Sequence, residues 1–349
     1  MKNPLNIPKY FPYIFRRRFK EKYIIIESDD WGLHHSRSIE GIEYIRKKYG
    51  YEKFTRWTTD SLETIDDISL LYQVLLKYNN HFESPPKLTA NFITHNIDYN
   101  NFNSLSFQPL SVSLKEDPIL YEKYIYGIEN KIFHPQLHGY CHYNTKKLEN
   151  FFHSSEGKKL FNIGFLGGKS TLRGNLSEFR SEFSIDNPEV EGKIKHSIKE
   201  FYTLFNYYPI SIIPPHFILD QQYFNILKVS GLKNIQASNR LETSNGKKFR
   251  KIYFRKKDGF IWIPRNARLD PHPDYNFNAD SCLWDIDKAF EAQIPAIIDF
   301  HRVNISGRYN PKYRDKSLKE LEKVFQTVLE RWPETQFITT EKLINLCQV

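Results

Sequence analysis

The sequence predicts an α/β fold in which a parallel sheet closes into a barrel of about seven strand–helix units. Three observations carry this expectation. Short apolar, β-branched runs alternate with stretches of helical periodicity along the chain. Clusters of polar residues follow directly after the strand candidates, as in barrels whose chemistry sits where strands end and loops begin. No Pro/Gly/Ser-rich linker interrupts the chain, so residues 23–349 are read as one domain behind an arm of residues 1–22.

The first strand candidate is Tyr23–Ser28, an apolar run ending in acids. Residues 61–78 repeat Leu62, Ile65, Ile68, Leu71 and Leu75 at helical spacing. Leu88–Thr94, after Pro85 and Pro86, is the next strand. Ile132–Leu137 follows, with Pro135 as a flaw, because proline removes a ladder donor. Residues 188–205 read as a helix, Pro209–Ile213 as a strand, and Gln221–Val229 as a helix stopped by Gly231. Asn234–Ala237, Phe260–Ile263, Pro295–Phe300 and Gln336–Thr340 are further strands, and Ser317–Trp332 is an amphipathic helix. Residues 96–130 and 239–258 are the expected long loops.

The chain has 349 residues, 40% hydrophobic and 26% charged, enough to bury a core. Three cysteines, Cys141, Cys282 and Cys347, are too few and scattered for a disulfide framework or a thiolate zinc knuckle. No apolar run approaches the roughly 20 residues that span a bilayer. The N-terminus has no uninterrupted apolar signal core. The expected location is therefore the cytoplasm. The net charge is +9, of which residues 1–22 carry +6 and the body +3. A nucleic-acid binder carries its basic footprint on the folded domain, so no nucleic-acid partner is expected. The arm interleaves its charges with Tyr10, Phe11, Tyr13, Phe15 and Phe19. Two readings stand: a leader packed over the domain, or a peripheral contact with the inner face of the membrane or a polyanionic substrate.

Four polar clusters converge if the strands are neighbours: Glu27–Gly32, His138–His142, Pro214–Phe217 and His301–Asn304. Two adjacent carboxylates, Asp29 and Asp30, at a buried strand end are costly unless something positive compensates them. Neighbouring side chains on a strand face opposite ways, yet local twisting brings both to one rim, one to bind a metal and one to act as a base. The competing reading is a helix N-cap. His138 and His142 are spaced i, i+4, within reach of one cation, although a satisfied pair of loop histidines has the same spacing. His134 and His138 share it too, but Pro135 forbids a helical turn there. Two imidazoles and a carboxylate leave open positions on a divalent metal and suit Zn²⁺, with Co²⁺, Ni²⁺ or Fe²⁺ as substitutes. Gly167–Thr171 mimics the end of a phosphate loop, but its spacing is wrong: Ile163 stands where the first glycine belongs.

These residues, in this order, resemble the NodB-type polysaccharide deacetylases, carbohydrate esterases with a distorted (β/α)7-type barrel related to the TIM barrel. The Asp30-Trp31-Gly32-Leu33 stretch is also similar to the YdjC/ChbG-like deacetylases. The resemblance spans roughly residues 23–304. It implies Asp29 as general base, Asp30, His138 and His142 as metal ligands, and His301, in Ile298-Asp299-Phe300-His301, as general acid. The family's Arg-x-Pro-Tyr segment stands here as Ile213-Pro214-Pro215-His216, without its arginine. The arginine that orients the base must then come from elsewhere: Arg265, with Arg302 in reserve. Pro215 cannot donate, so the His216 N–H is expected to face the oxyanion. Trp31, Tyr140, Pro215, His216, Phe217 and Arg302 are the expected substrate-binding residues, the aromatic ones as walls against sugar rings or as core. The implied activity is metal-dependent removal of acetyl from an N-acetylated sugar, oligosaccharide or polysaccharide. The missing arginine motivates the alternative, a non-catalytic barrel that binds carbohydrate.

Overall fold

The computed structural model describes residues 17–49, 56–100, 104–163, 182–238, 241–249, 254–272 and 277–348. Most of the basic arm and the phosphate-loop mimic Gly167–Thr171 lie outside them.

Strand β1 (Tyr23–Trp31) is buried along its whole length, as its Ile24–Ile26 run requires. It pairs in parallel with β2 (Leu88–Ile93). A short ribbon follows, β3 (His95–Ile97) with β4 (Phe107–Pro109). The sheet continues through β5 (Phe133–Gly139), β6 (Ser211–Ile212) and β7 (Asn234–Ala237), all parallel. A hairpin of β8 (Lys256–Lys257) leads into β9 (Phe260–Pro264), which pairs with β7, and the chain runs on into β10 (Ala267–Arg268). Strand β10 pairs with β11 (Ala296–Asp299), and β11 returns to β1. At the crossing, Arg265 N–H donates to Ala237 and Asn266 N–H to Ile297. The segment 260–268 thus bonds β7 at one end and β11 at the other, and the ring closes with seven staves. A last short strand, β12 (Gln336–Phe337), adds to β1.

Helices cover the ring. α1 (Ile39–Tyr49) and α2 (Ile65–Leu76) follow β1. α2 starts at a capping box in which Thr64 and Asp67 satisfy each other's backbone N–H. α3 (Leu110–Glu116) and α4 (Pro118–Glu129) occupy much of residues 96–130, expected as a loop. α5 (Thr145–Phe152), α6 (Ser155–Asn162) and α7 (Val190–Phe205) link β5 to β6, and α8 (Phe224–Val229) links β6 to β7. α9 (Ala279–Glu291), α10 (Pro311–Arg331) and α11 (Thr340–Gln348) complete the layer. No described helix is long and apolar enough to cross a membrane.

Pro135 sits inside β5 without breaking it. Leu137 directs its carbonyl to β6, so Pro135, two residues earlier, faces the same flank. Strand β6 begins pairing only at Leu137, and the Pro135 carbonyl is taken by the Tyr207 hydroxyl. The missing N–H therefore costs no ladder bond.

The upper interior of the ring is polar. Asn91 on β2 bonds Gln236 on β7, which is no neighbour in the sheet, so the bond crosses the ring. Gln236 also donates to Ser211. The apolar layer lies between staves and helices, built from residues such as Ile24, Ile26, Phe92, Phe201 and Val324. At the arm's end, Phe19 is buried edge-on against Tyr23 and Phe254.

Candidate active site

Two register shifts build the site. Along β1, Ser28 opposes Ala90 and Trp31 opposes Phe92, so β1 carries one extra residue against β2. Along β5, Leu137 opposes Phe92 and Gly139 opposes Ile93, so His138 is the extra residue there. Such bulges re-aim side chains. Asp30 takes the unusual φ of 70°, which turns its carboxylate to the rim that Asp29 also reaches. The local twisting expected of the acidic pair is thus a bulge.

Asp30 Oδ1 lies 3.2 Å from His138 Nε2 and 3.1 Å from His142 Nε2. All three side chains are buried. His138 Nδ1 donates to the Ile213 carbonyl at 2.8 Å, so in the neutral ring Nε2 is the nitrogen that carries the lone pair. Burial would depress His138, yet the Asp30 and Asp29 carboxylates outweigh it and raise its pKa. Burial holds His142 down to about 4, so its ring is neutral. Burial opposes ionisation of Asp30, but hydrogen bonds from both histidines hold it well below the usual carboxylate range. An ionised carboxylate and two imidazole nitrogens within 4.8 Å of one another fit a divalent cation. His134, the competing partner of His138, is on β5 and not in this cluster.

Arg265, at the crossing of the ring, forks over Asp29: Nη1 to Oδ2 at 2.7 Å and Nη2 to Oδ1 at 2.5 Å. Its Nε reaches Glu27 at 2.9 Å and Nη1 reaches Asp299 at 2.6 Å. Asn91 donates to Asp29 Oδ1 at 2.9 Å. Burial pushes Asp29 up, and Arg265, His138 and His301 override it, so its pKa is lowered. Glu27 is pushed up to about 7 by burial, against the pull of Arg265 and Thr340. His301 stands 4.0 Å from Asp29 through Nε2, and its Nδ1 is 3.6 Å from both Asp270 and Asp299. Burial would lower His301, but Asp299, Asp270 and Asp29 lift it to about 9. His216 and Phe217 are both left-handed, at φ 53° and 60°, and the His216 ring lies 4.5 Å from that of His142.

Two expectations fail. Arg302 does not reach substrate, because it is 0% exposed. Its guanidinium bonds the carbonyls of Asp30 and Leu33 and the Asp60 carboxylate, so it braces the loop after β1. Trp31 is no sugar wall: it is also 0% exposed, packed on Phe133 and Phe92 with its indole N–H on Ser28. Tyr140 stacks on His95 with ring centroids 4.0 Å apart. Pro215 is buried, and half-buried Phe217 packs against the main core.

Sequence reasoning missed four residues. Trp57, half-buried in a short turn (Arg56–Thr58), meets His301 edge-on at 5.2 Å, with the Arg56 guanidinium 4.6 Å over its ring. Asp270 stands behind His301. His35 bonds Asp60 at 2.6 Å, its ring 6.1 Å from that of His142. Glu182 accepts from the ligand loop, as described below. Nothing local marks Asp270 or Glu182, while the second histidine of His34-His35 was a visible signal.

No family model and no curated protein matches this chain. Solved structures do. The chain is similar to the 4-alpha-glucanotransferase from Thermococcus litoralis (9% identity, TM-score 0.49), over 94% of this chain and 40% of that one. It is similar to a CE4 family pseudoenzyme from Bacillus anthracis (9%, TM-score 0.42), over 93% and 66%. It is also similar to the peptidoglycan deacetylase PdaC from Bacillus subtilis (10%, TM-score 0.40), over 94% and 93%. The chain thus spans less than half of the glucanotransferase and about two thirds of the pseudoenzyme.

Proposed function

We propose that this chain is a metal-dependent hydrolase that removes acetyl groups from an N-acetylated sugar, oligosaccharide or polysaccharide. The observation that carries the reading is the fork of Arg265 on Asp29, beside the cluster of Asp30, His138 and His142. Arg265 stands in for the arginine absent from Ile213–His216, which favours the hydrolase over a non-catalytic barrel.

Asp30, His138 and His142 would hold the cation, Zn²⁺ in first place. When bound, it supplies Lewis acidity for activating water and polarising a carbonyl. Asp29, kept ionised and aimed by Arg265, takes the proton from the attacking water as the new C–O bond forms. The His216 N–H is assigned to the developing oxyanion. His301, kept protonated by its carboxylates, gives its proton to the departing nitrogen as the C–N bond breaks. The products are acetate and the free amino sugar. Trp57 beside His301 offers an aromatic face for the ring.

The test is incubation of the protein and Zn²⁺ with N-acetylated chitooligosaccharides, measuring acetate and free amine. Both should appear. Asp29→Asn should abolish turnover yet bind metal, and His138→Ala should lose metal. Metal content unchanged by both His138→Ala and His142→Ala would overturn the reading. Calorimetric glycan binding without acetate release would favour the carbohydrate-binding alternative.

A further inference from the structure

We infer that Glu182 is the positioning residue of the metal centre, the group that shapes the His138–His142 loop so that both imidazoles face Asp30. The inference rests on the metal site proposed above and assigns a role to a residue far from it in sequence.

The loop turns around the Glu182 carboxylate. Oε1 accepts from Tyr140 N–H at 2.6 Å, and Oε2 accepts from Cys141 N–H at 3.1 Å and His142 N–H at 2.5 Å. Three successive amides converge on one buried anion, an arrangement a backbone adopts around a negative charge. His142 is left-handed at φ 76°, which costs energy for a side-chain-bearing residue unless its surroundings hold it. The bond from its own N–H to Glu182 is such a hold.

Gly139 is the second half of the device. A Cβ there would lie 2.8 Å from Glu182 Oε1, closer than a real Cβ approaches, and a tight 3.0 Å from Oε2. A glycine between the ligands is what lets the carboxylate come under the loop. Glu182 is itself tied down: Asn187 donates to its carbonyl at 2.7 Å, and the same Asn187 accepts from Thr145 at the start of α5. The ligand loop, α5 and residues 182–187 therefore form one hydrogen-bonded unit. Losing a group that orients ligands from behind typically weakens metal binding about 10–100-fold.

The experiment is a zinc titration of the metal-free full chain against a chromophoric chelator, with Co²⁺ absorption as the geometric readout. Glu182→Gln keeps one acceptor oxygen and turns an NH₂ toward at least one of the three donors. It should bind Zn²⁺ about 10–100-fold more weakly and alter the Co²⁺ spectrum, while Glu182→Asp recovers part of the affinity. Gly139→Ala should act in the same direction by pushing the carboxylate away. Hydrogen exchange on the metal-free native chain needs no variant: the Tyr140, Cys141 and His142 amides should be protected. Wild-type affinity and spectrum in both Glu182→Gln and Gly139→Ala, or rapid exchange of those three amides, overturns the inference. A wild-type chain that binds no metal overturns the proposed function instead.

Discussion

His301 has two tasks in the proposed reaction: to hold a proton at working pH and to release it to the leaving nitrogen. Burial works against the first, and the carboxylates of Asp299, Asp270 and Asp29 reverse it, lifting the pKa from 6.5 to about 9. An acid must be protonated, so activity should hold below that value and fall as the pH rises through about 9. Asp29 must be ionised, and its pKa is lowered, so the acidic limb should lie below the ordinary carboxylate range. Asp270 is the carboxylate to remove, because Asp299 also engages Arg265 and Asp29 is the proposed base. Asp270→Asn should move the alkaline limb to lower pH and leave the acidic limb in place. A pH–kcat/KM profile of the variant, with a melting curve as control because Asp270 also meets Arg56 and Arg268, checks this. An unmoved alkaline limb would assign the proton to another group.

At the scale of elements, the end of β1 and the turn Arg56–Thr58 divide two tryptophans between two tasks. Trp31 sits at the bulge with its side chain turned away from Asp30 into packed rings. Trp31→Ala should cost about 3–5 kcal/mol of stability, as large core deletions do. Trp57 is only half-buried, beside His301. Trp57→Ala should raise KM roughly 5–10-fold, the equivalent of about 1 kcal/mol of ring contact, with little change in melting. Denaturant curves and steady-state kinetics separate the two; a KM effect of equal size in Trp31→Phe would return that residue to the cleft. The sequence displayed both tryptophans equally, because burial at a strand end depends on the register with β2. The same limit explains what else was legible. Strands β1 and β11 hold adjacent isoleucines, and β1, β2, β7, β11 and α7 lie close to the bounds the sequence predicts. The bulges at Asp30 and His138 depend on which residues pair across the sheet, which no local pattern encodes. Residues 96–130 read as a loop because α3 and α4 are short, and α4 begins with Pro118 and exposes Ile119 and Tyr126, which blurs the helical pattern. The catalytic and metal candidates stood out because acids and imidazoles follow apolar runs, while Glu182 lies 40 residues beyond His142 with no motif around it.

For the whole molecule, closure of the ring and aiming of the base depend on one residue. Arg265 lies where the chain leaves β7 for β11, and its guanidinium gathers Glu27 and Asp29 from β1 and Asp299 from β11. The Ile213–His216 segment after β6 holds no arginine, and the charge comes from a stave two places further round. Removing it leaves three buried carboxylates without their cation. Breaking a buried pair in this way costs about 3–5 kcal/mol, because the charges left behind stay desolvated. Arg265→Met should lose that much at neutral pH along with turnover. Arg265→Lys should recover part of the stability but not the rate, since an ammonium cannot fork over both Asp29 oxygens. The pH dependence separates charge from packing. In the wild type the Asp29 pKa is lowered on folding, so its stabilising contribution is present above the ordinary carboxylate pKa and fades as the pH falls through the folded value. The variant lacks the Arg265 contribution and carries an acid that burial drives toward protonation, with His138 and His301 left to oppose it. The stability gap between wild type and Arg265→Met should therefore narrow from pH 7 to pH 4 in urea unfolding experiments. A gap of the same size at both pH values would mean that Arg265 closes the ring by packing and hydrogen-bond geometry, with its charge irrelevant to the fold.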